Sequence, residues 1–280
     1  MTSIANVRRQ VFEWRQGLRH GLARRRAAPG LPPLPARLRP MLETLEREGA
    51  VISTLEEVCP DPDLLPELDR LLAACSGPFK ERKDYIVHAP EDAIAASPSV
   101  LRWGLGEDIL ALCANYIGVP VAYRGVSVRR DIANGQWTGT RLWHRDSEDN
   151  RILKLIVYVN DVDADTGPFE YVPKPYAPAT WRVDLHDGSR VDEGDFDRFV
   201  PAHRRIACTG KRGTVVVVDT CAVFHRGRLP VAKDRHTAFY CYNSIRPIRP
   251  EHCQPMFDRR ALESRHALSP RQRAALSYEY

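Results

Sequence analysis

The spacing of apolar residues changes near residue 120 and divides the chain into a helical part and a β-rich part. Before that point apolar positions recur every three or four residues, as on one face of a helix. This spacing predicts helices over 4–26, 40–48, 62–75 and 106–117. Pro62 directly after Asp61 is a favoured helix start, and Gly118 marks the end of the last of these helices.

After residue 120 the chain contains short runs of β-branched residues separated by turns, which predict strands. The predicted strands cover 121–128, 152–159, 169–172, 214–218, 222–225 and 237–243. In the second of them Lys154, Ile156 and Tyr158 share one face, because successive side chains alternate across a strand. Helices followed by many short strands indicate a mainly β protein, a sandwich or barrel with an N-terminal helical layer.

Proline and charge set the predicted domain boundaries. Residues 28–40 contain five prolines and predict an extended connector, so residues 1–39 are expected to form a basic arm and 40–280 a single domain. Within that domain we expect a helical layer at 40–118, a barrel core at 120–245 and a C-terminal extension at 246–280. The charged insertion at 174–207 is long for a hairpin link and is a candidate lid, and the predicted loop at 129–140 is a further candidate for shaping the substrate site.

The formal net charge of +5 comes from the chain ends. Residues 1–40 hold nine arginines and one acid (+8), 246–280 hold seven arginines and four acids (+3), and 41–245 hold 25 bases and 31 acids (−6). A basic-armed nucleic-acid binder is therefore one rival hypothesis. The body lacks the interleaved aromatic residues of a stacking platform, so we expect no nucleic-acid partner.

The seven cysteines are odd in number, widely spaced and without a C-x-x-C pair, which argues against a disulfide framework or a zinc ribbon. They favour a reducing, cytoplasmic setting, and the N-terminus lacks the apolar core of a secretory signal. No run of 18 apolar residues occurs, so we expect no membrane partner. The sequence leaves the oligomeric state and the identity of the substrate open.

The sharpest local feature is the run Trp143-His144-Arg145-Asp146. Side chains two apart lie on the same face of an extended chain, so His144 and Asp146 can face one metal ion. One more histidine would complete a two-His, one-carboxylate set, which suits non-haem Fe(II) oxygen chemistry. Of the nine histidines only His144 has an acid two residues later. The alternative is a strand-end histidine paired with a nearby acid.

The second half of the pattern follows the buried run at 214–218. A turn leads from that run to His225, and ten residues later Arg235 precedes Thr237. A buried arginine with a hydroxyl two residues further on can bind a carboxylate, because its guanidinium offers a bidentate fork and the hydroxyl adds a donor. The alternatives are a core histidine and a structural ion-pair arginine.

Together these residues carry a resemblance to a known family. The H-x-D pair, the strand ending in Asn160-Asp161, the run Thr166–Pro173 and the later His225-x-Gly227 with Arg235 resemble the phytanoyl-CoA dioxygenase-like family. The similarity covers about 120–245. Family members often have the sequence P-G-S-H after the third strand, where this chain has Pro173-Lys174-Pro175-Tyr176.

The resemblance implies a double-stranded β-helix, a jelly roll related to cupins. It implies His144, Asp146 and His225 as Fe(II) ligands, and Arg235 as the partner of the distal carboxylate of 2-oxoglutarate. Such an enzyme uses O2, converts 2-oxoglutarate to succinate and CO2, and oxidises a C–H bond of a small molecule. Because Asp146 is present, hydroxylation or a related oxidation is favoured over halogenation.

Further candidates follow from position along the chain. Thr237, Lys154 and Tyr158 are expected in the cosubstrate pocket, whereas a solvated lysine and a core tyrosine are the alternatives for the last two. Arg129, Arg145 and Trp143 are candidate substrate contacts, against solvated arginines and a packing tryptophan. Asp219, between a buried strand and His225, either orients a site residue or caps the turn. A second rival function is a jelly-roll protein that binds a metal or ligand without oxygen chemistry.

Overall fold

The computed structural model describes residues 4–75, 85–179, 190–265 and 267–277. Its helices are α1 (Ile4–Ala27), α2 (Arg39–Glu48), α3 (Leu55–Val58), α4 (Leu64–Ala73), α5 (Glu91–Ala95), α6 (Pro98–Gly104), α7 (Glu107–Ile117), α8 (Glu193–Phe196), α9 (Arg259–Arg265) and α10 (Pro270–Ala275). The helices predicted over 4–26, 40–48 and 106–117 are confirmed. None of the helices in the described ranges is both long and apolar enough to cross a lipid bilayer.

The strands are β1 (Ala50–Thr54), β2 (Ile86–His88), β3 (Val121–Asp131), β4 (Trp143–His144), β5 (Leu153–Tyr158), β6 (Phe169–Tyr171), β7 (Arg190–Val191), β8 (Ile206–Cys208), β9 (Thr214–Asp219), β10 (His225–Gly227) and β11 (Arg235–Ser244). They form a larger sheet in the order β1-β9-β5-β11-β3-β2 and a smaller sheet in the order β7-β4-β10-β6-β8. Neighbouring strands are antiparallel, so the predicted mainly β class with N-terminal helices is confirmed.

Several predicted boundaries are wrong for local hydrogen-bonding reasons. Helix α4 begins at Leu64 rather than at Pro62, because the Asp61 carboxylate accepts from the Asp63 amide and forms a turn first. Strand β10 begins at His225, since the residues from 222 onward belong to a turn. Strand β3 continues to Asp131 by pairing with β11, so the loop predicted at 129–140 starts later.

The insertion at 174–207 forms both edges of the smaller sheet in its described parts. Strand β7 pairs with β4, and β8 pairs with β6. Residues 180–189 of the candidate lid lie outside the described residues. Strands β1 and β2 were not predicted, although the run Ala50–Thr54 contains the β-branched residues typical of a strand.

The two faces of the larger sheet have different partners. On β9, Val215 and Val217 pack in the core shared with the helices, whereas Val216 and Val218 pack in the core between the sheets. On β5 the predicted alternation is confirmed, since Leu155 lies on the helix side and Ile156 between the sheets. A strand that is buried on both faces has a continuous run of apolar residues, as β9 has. The helices therefore close one side of the larger sheet and leave its other face to the smaller sheet.

A buried carboxylate joins the helical layer to the turn before β10. Asp219 accepts a hydrogen bond from the Tyr116 hydroxyl of α7 at 2.8 Å, and its other oxygen accepts from the backbone amides of Cys221 at 3.0 Å and Ala222 at 3.1 Å. Burial raises the pKa of this carboxyl. Of the two roles considered for Asp219, the structure shows the turn cap.

Removing the hydroxyl in Tyr116→Phe leaves one oxygen of buried Asp219 without its donor. We expect the free energy of unfolding to fall by about 1–3 kcal/mol in urea denaturation. Tyr240→Phe is the matched control, because the buried Tyr240 hydroxyl has no hydrogen-bond partner among the described residues. Its loss should leave stability unchanged or raise it. Equal destabilisation by the two variants would contradict the assigned role of Tyr116.

Candidate metal centre

Three side chains from the smaller sheet converge on one point. His144 at the end of β4 lies directly opposite His225 at the start of β10 in the antiparallel register. Their ring centroids are 4.2 Å apart, and Asp146 follows β4 by two residues. One candidate ligand atom from each of the three lies within 4.8 Å of the others. The structure therefore brings together the three residues that the sequence predicted as metal ligands.

Hydrogen bonds to backbone carbonyls determine which nitrogen of each imidazole carries the proton and which keeps a lone pair. The Nδ1 atom of His144 lies 2.8 Å from the Leu142 carbonyl oxygen, and Nδ1 of His225 lies 3.2 Å from that of Val223. A carbonyl oxygen can only accept, so each Nδ1 carries the proton and donates it. Each Nε2 then keeps its lone pair for a metal, and the carbonyls fix the ring orientation.

The charges around the three side chains favour the forms that bind metal. Burial lowers the pKa of both histidines, so both rings are neutral at neutral pH. Burial alone would raise the pKa of Asp146, but the Lys154 ammonium outweighs it and holds the pKa well below its usual range. Two neutral imidazoles and one carboxylate fit a divalent transition metal such as iron.

Lys154 and Tyr158 both point between the sheets, as their shared face predicted. The Lys154 ammonium donates to Oδ2 of Asp146 at 2.5 Å, which leaves Oδ1 facing His144 at 4.0 Å from Nε2. The Tyr158 hydroxyl donates to the Cys208 carbonyl at 2.7 Å and accepts from the Phe169 amide. Lys154 therefore orients a candidate ligand, and Tyr158 links the two sheets. A contact of either residue with a cosubstrate stays a prediction.

A second buried cluster lies on the inner face of β3 and β11. Arg235, 2% exposed, forms an ion pair with Asp131 at 3.1 Å and donates to the Gly167 carbonyl. Arg129 forms an ion pair with the other Asp131 oxygen at 3.4 Å, and its guanidinium lies 3.7 Å above the Phe239 ring. The register places Thr237 directly opposite Arg129.

Four polar atoms of this cluster are buried without a hydrogen-bond partner in the described part of the chain. Nε of Arg129 and Oδ2 of Asp131 are two of them and form the 3.4 Å ion pair with each other. The other two are Nε of Arg235 and Oγ1 of Thr237. Buried polar groups are nearly always paired in folded proteins, so the unpaired Nε of Arg235 and Oγ1 of Thr237 are candidates for contact with a bound ligand. The predicted pair of Arg235 and Thr237 therefore lies together and is capable of binding a further acceptor.

Arg145 and Trp143 have mainly structural surroundings. The Arg145 guanidinium donates to the Cys221 carbonyl in the turn capped by Asp219. Trp143 is fully buried, stacks on Phe196 at 4.6 Å and lies beneath the Arg226 guanidinium at 4.5 Å. These contacts favour packing, and a substrate contact of either residue stays a prediction.

Two residues that contact predicted site residues, Asp131 and Phe169, were not predicted from the sequence. Asp131 pairs with Arg235 through the β3–β11 register, and no motif marks that register in the sequence. Phe169 stacks on His225 with ring centroids 5.5 Å apart, because β6 is the next strand to β10. Phe169 directly follows the turn Thr166-Gly167-Pro168, and this position at the start of a strand could have marked it as a candidate.

No protein-family profile matches this sequence, and no curated protein matches it. Solved structures do match. SnoN, a non-haem α-ketoglutarate-dependent epimerase from nogalamycin biosynthesis, gives a TM-score of 0.53 at 16% identity over 81% of this chain and 87% of SnoN. HygX from Streptomyces hygroscopicus, with nickel, 2-oxoglutarate and hygromycin B bound, gives 0.51 at 12% identity over 74% and 87% of the two chains.

EctD from S. alaskensis, solved with 2-oxoglutarate and 5-hydroxyectoine, gives a TM-score of 0.51 at 21% identity over 78% of this chain and 82% of EctD. At identities this low, the similarity establishes a shared fold. The chain therefore has the fold found in these 2-oxoglutarate-binding proteins, and its own site residues must carry any statement about chemistry.

The geometry predicts that the protein binds one Ni(II) or Co(II) ion per chain through the three converging side chains. His225→Ala should weaken that binding by at least about tenfold, because it removes one of three protein donors. Isothermal titration calorimetry with Ni(II) measures the affinity. His203→Ala, at an exposed position away from the cluster, is the control and should bind like the wild type. Unchanged affinity in His225→Ala would contradict the site.

Proposed function

We propose that the chain is an Fe(II)- and 2-oxoglutarate-dependent oxygenase that hydroxylates, or otherwise oxidises, a C–H bond of a small molecule. The observation that carries the proposal is the convergence of His144, Asp146 and His225 within 4.8 Å. A two-His, one-carboxylate set leaves open positions on the metal, as this chemistry requires. The proposal includes a jelly roll of the phytanoyl-CoA dioxygenase-like kind, which the two facing antiparallel sheets support.

The protein's own residues would hold the metal in a defined way. Nε2 of His144, Nε2 of His225 and one oxygen of Asp146 are the donors, and Lys154 keeps the second Asp146 oxygen occupied. The carboxylate would therefore bind through a single oxygen. Bound Fe(II) would supply oxygen chemistry, in which O2 oxidises 2-oxoglutarate to succinate and CO2 and also oxidises the substrate.

The buried cluster on β3 and β11 would hold the distal carboxylate of 2-oxoglutarate. Arg235 and Arg129 carry two positive charges against the single negative charge of Asp131, so the cluster has a net charge of +1. A carboxylate entering this cluster would neutralise it and could accept from Nε of Arg235 and from the Thr237 hydroxyl. The near-complete burial of Arg235 would exclude water from that ion pair.

The position of the insertion supports its proposed role as a lid. Strand β7 pairs with β4, and Arg190 lies directly opposite His144 in that register. Strand β7 of the insertion therefore borders the candidate metal centre. We expect residues of 174–207 to limit access of a small-molecule substrate to the metal.

The proposal predicts a visible absorption band on anaerobic addition of Fe(II) and 2-oxoglutarate. Chelation of iron by a 2-oxo acid should give a weak charge-transfer band in the visible region. His144→Ala and His225→Ala should abolish it, and His203→Ala should retain it. A wild-type protein that binds Fe(II) but shows no band with 2-oxoglutarate would support metal binding without oxygen chemistry instead.

Arg235→Met should weaken 2-oxoglutarate binding by about 10–100-fold, because it removes a charge-assisted pair with the distal carboxylate. Titration of the charge-transfer band with 2-oxoglutarate measures the change. Arg228→Met is the control, since Arg228 is exposed and pairs with Glu170 at 3.4 Å. If the wild type and Arg235→Met reach half-saturation at the same 2-oxoglutarate concentration, the assigned cosubstrate pocket is contradicted. Metal binding by both proteins would still support His144, Asp146 and His225 as the metal ligands.

A further inference from the structure

Helix α1 exposes a continuous apolar stripe. Its members recur every three or four residues and lie within about 80° of the helix circumference at 3.6 residues per turn. They are Val7, Val11, Trp14, Leu18 and Leu22, and each is between 46% and 65% exposed. Single exposed apolar residues are common, but five in line on one helix are typical of an interaction surface. These five residues form the α1 stripe.

The α1 stripe faces away from the rest of the protein. The body-facing side of α1 carries Gln16, His20, Arg24 and Ala27, which are partly buried and lie on the opposite side of the helix. Arg24 forms an ion pair with Glu46 of α2 at 3.1 Å and so fixes the second half of α1 to the body. The partly buried side of α1 therefore packs against the rest of the protein, and the α1 stripe is exposed to solvent.

A row of exposed arginines borders the α1 stripe. Arg8, Arg15, Arg19 and Arg26 lie within about 60° of one edge of the stripe. Over its whole length α1 contains seven arginines and one acid, Glu13, and so carries a net charge of +6. Arginine beside apolar residues that include a tryptophan is one feature of helices that lie in a membrane interface. On α1 the stripe ends before Arg25, which lies on the same face, and the exposed Phe12 lies on the arginine side.

A groove of about 730 Å³ lies next to the arginine row, between α1 and the loops around Pro120 and Arg246. Arg19, Arg26 and Arg246 line it, together with His20, whose Nε2 atom is buried without a hydrogen-bond partner among the described residues. A phosphate group could accept from these arginines, and the apolar residues of the lining, such as Val119, Ile245 and Ile248, would contact its apolar substituents. The groove thus places candidate headgroup contacts beside candidate acyl-chain contacts.

We propose that α1 binds the surface of an anionic lipid bilayer, with the α1 stripe among the acyl chains and the arginine row and groove at the lipid phosphates. A second copy of the chain fits less well, because each α1 has a net charge of +6 and pairing two of them brings like charges close together. Nucleic acid would use the arginines but would leave the stripe in water. The expectation of no membrane partner concerned spanning segments, and surface binding needs none. The proposal does not depend on the proposed enzymatic activity.

The test is co-sedimentation of the full chain with vesicles of phosphatidylcholine alone or with 30% phosphatidylglycerol. We expect binding only to the anionic vesicles and weaker binding in 0.5 M salt than in 0.05 M salt. The double variant Trp14→Glu/Leu18→Glu should lose about tenfold or more in partitioning. Val231→Glu changes an equally exposed apolar residue outside α1 and should bind like the wild type.

Circular dichroism of each variant checks that folding is unchanged, as the exposure of the substituted residues predicts. The proposal is overturned when anionic vesicles are not bound, when neutral vesicles are bound equally, or when the double variant binds like the wild type. Light scattering measures the oligomeric state and so tests whether a second copy of the chain covers the α1 stripe instead. A wild-type dimer that becomes a monomer in Trp14→Glu/Leu18→Glu, without vesicle binding, would assign the stripe to a second copy of the chain.

Discussion

The candidate site depends on the antiparallel pairing of β4 with β10, which sets His144 directly opposite His225. A shift of one residue would turn one imidazole to the other face of the sheet. The turn capped by Asp219 holds this register, because the Thr220 carbonyl accepts from the Asp146 amide at 2.9 Å and the Cys221 carbonyl accepts from Arg145. Through Tyr116, the same carboxylate ties the site to the helical layer.

The space between the sheets is also organised by paired charges. An unpaired charge is costly away from water, so each buried ion needs a partner. Lys154 pairs with Asp146 at the candidate metal centre, and Asp131 pairs with both Arg235 and Arg129 at the other cluster. The first pair leaves one carboxylate oxygen for a metal, and the second leaves a net positive charge for an anion. In the proposed function the first cluster would hold the metal and the second would hold the distal carboxylate of 2-oxoglutarate.

The separation of charge along the chain has a structural counterpart in α1. The strongly basic segment is one helix that presents its arginines and its apolar stripe to the outside, while the predominantly acidic part of the chain forms the sheets and the layer that covers them. The predicted boundary between an arm and a single domain at residues 39 and 40 stays a prediction. The second half of α1 contacts the body through Arg24, so the basic segment is not wholly separate from it.

Local sequence determined the elements whose patterns are strong over several residues. The valine run of β9, the alternating face of β5 and the H-x-D pair could be located because each depends on side chains within one strand. The register between distant strands is a property of the whole sheet, so Asp131 beside Arg235 and Phe169 beside His225 came only from the tertiary structure. For the same reason α1 was predicted as a helix from its apolar spacing, yet only packing decided that its apolar side faces outward.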